Sequence, residues 1–325
     1  MDTSIDLEKQ LNLIAKYNGI TLNLEEKIKL EYALTELKNK EKNEKLFFWG
    51  KITGEDSDYF IAIGVNYKGH YEFPEKKYYF CQSLTYNFEE LPCTFEYHDK
   101  DFLDTYYKPL KGNPNLVIKK YNDPQPVPEG GAPPENPPEN PPQENPNNEN
   151  KPPEPTPNNE NPEEENLDDT VEEVKQPEII KENFTEKLKL SYLVRQIDYD
   201  TGIIPEGYYK LIPEHEIRIN KSFKGLNKEE IKDISKWMHF RRVSECKRKI
   251  IEEDEAVFRN DIVDSITEDK VKGSWSFELD PTKTTCNLRS LLWPGYFALH
   301  QANTKTVVGI YFGNGFKNAE LPFMV

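Results

Sequence analysis

Histidine and cysteine are the side chains best suited to holding a metal or attacking a substrate, and this 325-residue chain has few of them. They are His70, His98, His215, His239 and His300, and Cys81, Cys93, Cys246 and Cys286. Zinc requires ligands that converge, usually from close spacings along the chain. Because these residues are isolated and form no CxxC pair, the sequence predicts no metal site and ordinary reduced thiols of an intracellular protein.

Two closely spaced pairs of aspartates are the strongest candidates for acid–base chemistry. They are Asp198 with Asp200 and Asp99 with Asp101, and two carboxylates can serve as general acid and general base. Both pairs, however, lie in sequence with the composition of turns, which explains them without catalysis. The chain also lacks the Walker A, nucleophile-elbow, HExxH and EF-hand motifs. We therefore expect no catalytic residue, no cofactor and no enzymatic activity.

The sequence Gly313-Asn314-Gly315 has the glycine spacing of a phosphate-binding loop. It follows a predicted strand but precedes no predicted helix, and such a loop needs a helix N-terminus to hold the anion. We expect a hairpin turn at this position.

Residues 123–178 differ in composition from the rest of the chain. They contain 16 of the 25 prolines, 16 acidic residues and two lysines, so they carry a net charge of −14 out of −16. Proline removes backbone donors, and these residues offer little apolar surface to bury, which predicts a disordered acidic insert. The remaining chain is nearly neutral, which argues against nucleic-acid binding. No apolar run reaches the length of a membrane span.

A concentrated basic segment follows later in the chain. It comprises Arg241, Arg242 and residues 247–249, before the sequence turns acidic at Glu252. A solvated helix face explains these charges. The alternative is an electrostatic docking site for an acidic partner or for the acidic insert of the same chain.

Hydrophobic periodicity predicts four helical segments. The first ends at Gly19, and the second begins with a capping box formed by Asn23 and Glu26. The buried face of the second helix is predicted to consist of Leu24, Ile28, Leu34 and Leu37. Residues 226–238 and 245–266 form the other two predicted helices.

Alternating aromatic and β-branched residues predict strands on both sides of the insert. The predicted strands are residues 46–52, 59–65, 78–82, 274–279, 285–289, 296–300 and 307–312. Residues 188–197 fit either a strand or a helix, and their aromatic and β-branched second half favours a strand. Clustered helices and antiparallel strands predict an α+β fold, with N-terminal helices, a β-hairpin and a C-terminal β-meander. Residues 1–122 and 179–325 should form one folded body interrupted by the insert, because the N-terminal hairpin is too small to be stable alone.

Several long motifs occur in the same order as in radial spoke head proteins. They are LFFWGKITG at residues 46–54, DYFIAIG at 58–64, GSWSF at 273–277, LRSLLWPG at 288–295, GIYFGNG at 309–315 and NAELPFM at 318–324. The chain resembles this family over most of residues 1–122 and 179–325. The resemblance implies that its aromatic and glycine positions serve packing rather than catalysis. These positions are Trp49, Gly50, Trp275, Trp293, Pro294 and Gly295.

The same resemblance implies a function and a location. It implies a non-catalytic structural subunit of the radial spoke head, in the cytoskeleton of a cilium or flagellum axoneme. The implied partners are other head subunits of the type of radial spoke head proteins 4 and 6, with central-pair projections nearby. The head transmits signals from the central pair to the dynein arms. The alternative function is a free-standing adaptor that recruits partners through its acidic proline-rich insert.

Overall fold

Eight strands form the central sheet of the protein in a computed structural model, which describes residues 7–121, 182–255 and 257–324. The strands are β1 (Lys45–Ile52), β2 (Tyr59–Asn66), β3 (Glu75–Gln82), β4 (Glu89–Glu90), β11 (Trp275–Leu279), β12 (Thr285–Ser290), β13 (Tyr296–Gln301) and β14 (Val307–Gly313). Their order across the sheet is β11-β12-β13-β14-β1-β2-β3-β4. The insert predicted at residues 123–178 lies outside the described residues.

One parallel pair joins the two halves of this sheet. Strands β1 and β14 run parallel, and the other neighbouring strands run antiparallel. The N-terminal hairpin therefore continues directly into the C-terminal meander, which pairs in chain order from β11 to β14. The predicted α+β fold class is confirmed, with one composite sheet built from both sides of the insert.

The first two helices cover one face of the sheet. They are α1 (Leu7–Asn18) and α2 (Leu24–Lys40). Leu7, Leu11 and Ile14 of α1 are buried in one cluster with Phe48 of β1 and Leu299 of β13. Burial of this apolar stripe, at roughly 25 cal/mol per Å² of apolar surface, holds α1 against the sheet.

Helix α2 begins with the predicted capping box. Oδ1 of Asn23 accepts the N–H of Glu26 at 2.7 Å, and the Glu26 carboxylate accepts the N–H of Asn23 at 3.0 Å. Half of the predicted apolar face was wrong, because Leu24 and Ile28 are exposed. The buried stripe consists of Leu30, Ala33, Leu34 and Leu37. At 3.6 residues per turn, Leu24 and Ile28 lie on the opposite side of the helix from this stripe.

A third long helix packs on the other face of the sheet, where a strand was predicted. This helix, α4 (Glu186–Thr201), replaces the strand predicted at residues 188–197. It starts after Thr185, whose hydroxyl accepts the N–H of Leu188 at 3.4 Å. Its residues from Leu188 to Val194 are all buried. Because the helix is buried on almost every side, and its buried residues include polar ones such as Lys189 and Ser191, its sequence shows no clear apolar stripe. Its aromatic and β-branched residues therefore biased the assignment towards a strand.

Shorter elements connect these layers. They are α3 (Asp99–Thr105), α5 (Glu245–Glu253), α6 (Leu321–Met324), β5 (Val117–Lys119), β6 (Phe184–Thr185), β7 (Ile203–Pro205), β8 (Tyr209–Leu211), β9 (Ile217–Ile219) and β10 (Trp237–His239). Strand β5 pairs with β6, β7 with β10, and β8 with β9.

Two of the predicted helices are shorter or absent. Residues 226–238 form two single 3₁₀ turns followed by β10, because Trp237 and His239 pair with β7 instead of continuing a helix. The helix predicted to reach residue 266 ends at Glu253. Glu255 then adopts a φ of +46°, a left-handed conformation that a helix does not accommodate.

Candidate functional site

Trp49 links β1 to the last turns of α4 through a buried carboxylate. Its indole nitrogen donates a hydrogen bond to Oδ1 of Asp198 at 3.1 Å. The second carboxylate oxygen accepts from the hydroxyl of Tyr78 at 2.9 Å and from Nζ of Lys76 at 2.6 Å. Burial and the adjacent negative charge of Asp198 raise the pKa of Tyr78 well above its ordinary value. Because a buried charge is stable only when it is paired, Asp198 serves as the centre of a structural network.

Trp293 is fully buried in the turn after β12 and uses a different carboxylate. Its indole nitrogen donates to Oδ2 of Asp200 at 2.8 Å, and Nζ of Lys317 lies 3.0 Å from the same oxygen. Asp198 and Asp200 therefore lie in the last turns of α4, not in a predicted turn. Each binds its own tryptophan and its own lysine, so the two carboxylates do not work together as an acid–base pair.

Trp275 of β11 is half-buried and has the same kind of partner. Its indole nitrogen donates to Oδ2 of Asp269 at 3.0 Å, and Nε2 of His239 lies 2.7 Å from Oδ1 of Asp269. Burial alone raises the pKa of this carboxyl, but hydrogen bonds from His239 and Trp275 and the nearby charge of Arg241 more than offset it, so the pKa of Asp269 lies below its ordinary value. The three motif tryptophans thus share one form of anchoring.

The two aspartates of the second predicted pair also lie in different environments. Asp101 of α3 is buried, lies 3.1 Å from Nδ1 of His98 and forms an ion pair with Lys119. Asp99 is exposed at the start of the same helix. The buried member holds α3 against β5, and the exposed member contributes negative charge to the first helical turn.

Two motif glycines allow the backbone of another strand to approach closely. Gly50 has a φ of +152° at a β-bulge in β1, and a Cβ atom there would lie 2.1 Å from the carbonyl oxygen of Tyr311. Gly295 has a φ of +107°, and its Cβ atom would lie 2.1 Å from the carbonyl oxygen of Phe312. The neighbouring Pro294 is exposed. Both glycines therefore face the backbone of β14.

The predicted basic segment is largely paired with carboxylates of the same chain. Nη1 of Arg248 lies 2.8 Å from Glu72, whose other oxygen lies 3.7 Å from Arg242. Nζ of Lys247 lies 2.9 Å from Asp264. These contacts favour the solvated helix face over a docking site for an acidic partner.

The Gly-Asn-Gly sequence at residues 313–315 ends β14. No strand follows it in the described residues, so the predicted hairpin was wrong and the turn instead leads into the C-terminal segment. Gly315 has a φ of +77°, and its N–H donates to the hydroxyl of Tyr311 at 3.0 Å. The turn is therefore held by a side chain of the strand that it follows.

Metal-binding and membrane-spanning features were also sought in residues 7–121, 182–255 and 257–324. Within these ranges, no three histidine, cysteine, aspartate or glutamate side chains are placed to hold a metal ion. Across the same ranges, every helix is too short or too polar to cross a membrane.

A cleft of about 830 Å³ opens where β1 and β14 separate. The two strands pair only at three positions, Gly50 with Tyr311 and the two pairs that follow. Before these positions, β1 pairs with β2 alone and β14 pairs with β13 alone within the described part of the chain. One wall contains Phe47, Phe48 and Trp49, and the other contains Val307, Val308 and Gly309. This cleft was not predicted from the sequence, in which the bulge glycine Gly50 is its local signal.

Basic side chains outnumber acidic ones in the lining of this cleft and of an adjoining hollow of about 510 Å³. The basic lining residues are Lys9, Lys16, Lys38, Lys45, Arg218, Lys221 and Lys305. The acidic ones are Glu44 and Asp198, which form ion pairs with Arg218 at 3.3 Å and Lys76 at 2.6 Å. The lining therefore has a net positive charge, although the whole chain has a net charge of −16.

The family model for radial spokehead-like protein matches residues 2–191 of this chain. The match spans more than half of the sequence, including the bulge of β1 and the start of α4. The chain belongs to the radial spokehead-like protein family. The predicted membership is confirmed.

Individual relatives extend this similarity beyond the matched residues. The radial spokehead-like chain is 30% identical over 313 residues to the radial spoke head protein 9 homolog of Danio rerio, with 96% of each chain covered. It is 28% identical over 317 residues to the homolog of that name from Bos taurus, again with 96% of each covered. With the Homo sapiens homolog it is 37% identical over 155 residues, which cover 47% of this chain and 56% of the relative.

Proposed function

We propose that this protein is a structural subunit of the axonemal radial spoke head in a motile cilium or flagellum. The observation that carries the proposal is the 30% identity to a radial spoke head protein 9 homolog over 96% of both chains. The similarity includes both halves of the eight-stranded sheet, so it concerns the complete fold rather than one module. In this role the subunit supports assembly of the head and transmits signals between the central pair and the dynein arms.

The hydrogen bonds of three aspartates support a non-catalytic role. A catalytic carboxylate has to reach the substrate from which it takes or to which it gives a proton. Asp198, Asp200 and Asp269 instead accept hydrogen bonds from tryptophans at 2.8–3.1 Å. Asp198 and Asp200 join α4 to tryptophans that are distant in sequence, whereas Asp269 anchors a tryptophan of its own segment.

Affinity purification from axonemes tests the proposal. A tagged copy of the protein should recover other spoke head subunits, including proteins of the type of radial spoke head proteins 4 and 6. An axoneme preparation that contains the tag alone serves as the control. Recovery of no spoke head subunit above this control would overturn the proposal.

The concentration of negative charge in residues 123–178 favours a second candidate, an adaptor that recruits partners through this insert. Deletion of residues 125–173 separates the two candidates. The structural role predicts that the shortened protein still enters the spoke head, because every strand of the central sheet lies outside the deleted residues. The adaptor role predicts that the shortened protein loses its partners in the same purification.

A further inference from the structure

We infer that the cleft between β1 and β14 binds an extended acidic segment of a partner protein as an additional strand. Three features of the cleft carry this inference: two strand edges with no strand partner among the described residues, one polar and one apolar side, and the net positive lining. The inference goes beyond the proposed function, because it assigns an interaction surface and the chemistry of the segment that occupies it.

The first feature is the open pair of strand edges. Among the residues that the structure describes, those from Leu46 to Phe48 of β1 pair only with β2, and those from Val307 to Ile310 of β14 pair only with β13. The parallel register from Gly50 and Tyr311 is not continued through these residues. The β-bulge at Trp49 explains the separation, because an extra residue bends the bulged strand away from its former path. Strand edges of this kind bind extended peptides through backbone hydrogen bonds.

The second feature is the difference between the two sides of the cleft. On the side of α1, the cleft is lined by polar and basic residues such as Gln10, Asn12 and Lys16. On the side of β7 and β8, it is lined by apolar and aromatic residues, including Ile203, Tyr209 and Phe240, and Asp198 of α4 is there paired with Lys76. Successive side chains of a strand point to opposite faces of a sheet. A segment in which polar and apolar residues alternate therefore fits both sides.

The third feature is the sign of the charge on the polar side. Lys16 of α1 and Lys305 of the turn before β14 line the cleft there. The Debye length is about 8 Å at physiological ionic strength, so these nearby lysines act on a bound segment more strongly than distant acidic residues of the chain. Acidic residues at alternate positions of the segment complement these lysines. The structure thus favours a strand of alternating acidic and apolar residues.

A binding assay with the full-length chain tests this inference. The probe is a fluorescein-labelled peptide of alternating glutamate and valine, and binding is followed by fluorescence anisotropy. We expect saturable binding that weakens as salt increases. A peptide in which lysine replaces each glutamate should not bind. Absence of saturable binding by the acidic peptide, or equal binding of both peptides, would overturn the inference.

Charge reversal on the rim locates the binding site. The variant carries Lys16→Glu, Lys221→Glu and Lys305→Glu, three exposed residues of the lining. We expect at least about tenfold weaker binding of the acidic peptide, from the combined loss of several surface charge interactions. The matched control reverses three exposed lysines outside the lining, namely Lys100, Lys249 and Lys270. Equal weakening in both variants would place the binding elsewhere and reject the site.

Backbone methylation of the peptide tests strand addition itself. Methyl groups on alternate backbone nitrogens remove hydrogen-bond donors but leave the charges unchanged, so strand pairing predicts loss of binding. Unchanged binding of the methylated peptide contradicts an added strand.

A second variant, which lacks residues 125–173, tests whether the chain's own insert occupies the cleft. If this variant binds the peptide and the full-length chain does not, the chain's own insert fills the cleft, and the partner segment is rejected. The assay uses no axonemes, so its failure is distinct from failure of the proposed function.

Discussion

Besides Asp198, Glu186 at the start of α4 is buried and accepts the hydroxyl of Tyr59 at 2.8 Å and the N–H groups of Gly112 at 2.7 Å and Asn113 at 3.1 Å. Its place in the first helical turn also matches the helix dipole. Burial and its hydrogen bond to the Glu186 carboxylate raise the pKa of Tyr59 above its ordinary value. A buried charge is costly unless its partners are in place, so each carboxylate selects one arrangement of its segments.

Replacement of Asp198 tests this role at the residue scale. The substitution Asp198→Ala leaves Lys76 and the donors of Trp49 and Tyr78 without their acceptor. Removing one member of a buried ion pair costs about 3–5 kcal/mol, and we expect a loss of stability of that size in urea unfolding. As a control, Asp56→Ala changes an exposed side chain and should alter stability by less than about 0.5 kcal/mol. Similar losses in both variants would contradict the role of Asp198.

The buried imidazole of His300 predicts a pH dependence of stability. Its Nε2 accepts the N–H of Leu226 at 3.0 Å, and its Nδ1 donates to the carbonyl oxygen of Thr306 at 2.9 Å. Burial lowers the pKa of His300, because the charged ring is poorly solvated in the interior. A proton on Nε2 would also point at the N–H of Leu226, which donates to that nitrogen. Below the ordinary histidine pKa of about 6.5, the unfolded chain then binds more protons than the folded chain. Stability due to His300 is present above this pH and is lost as the pH falls.

Urea unfolding between about pH 7 and 5 measures this effect, whose slope for one proton approaches about 1.4 kcal/mol per pH unit. In His300→Gln the stability should depend less steeply on pH, although its value at neutral pH is lower. An unchanged slope in the variant would show that other groups cause the acid sensitivity.

At the scale of elements, the bulge in β1 determines how the two halves of the sheet meet. Gly50 brings β1 next to Tyr311 of β14, and the strands separate again on the other side of the bulge. A single position thus creates both the parallel junction and the cleft. The extra residue that bends a bulged strand is the physical cause of both.

Substitution of Gly50 tests this junction. In Gly50→Ala the new methyl group would meet the carbonyl oxygen of Tyr311 at 2.1 Å, so we expect a loss of more than about 1 kcal/mol and disruption of the parallel pairing. Gly19→Ala is the matched control, since Gly19 also has a positive φ but nothing lies within 4 Å of its added Cβ. Thermal unfolding compares the two variants. A loss no greater than that of the control would contradict a close-approach role for Gly50.

At the scale of the whole molecule, strand pairing joins the part of the chain before residue 122 to the part after residue 181. This pairing predicts that neither part folds by itself. Strand β5 pairs with β6, and β1 pairs with β14. Fragments 1–122 and 179–325 should each lack cooperative thermal unfolding, and their mixture should regain the near-ultraviolet circular dichroism of the intact chain. Cooperative unfolding of either fragment alone would instead indicate two independent domains.

The sequence by itself determined much of this protein. Period-two aromatic runs identified the seven main strands, the Asn23–Glu26 pattern identified a helix cap, and ordered motifs identified the family. These features depend on neighbouring residues or on spacings that stay constant along the chain. The location of the acidic charge at residues 123–178 was also readable from composition alone.

Tertiary structure decided the remaining features. The residues of α4 became a helix because burial on nearly all sides outweighed their strand propensity, and residues 237–239 became a strand because β7 offered them a partner. The partners of Asp198 lie about 120 to 150 residues away in the chain, and no local pattern specifies them. The cleft depends on where two strands separate. Such features arise from contacts between distant segments, which only the folded chain brings together.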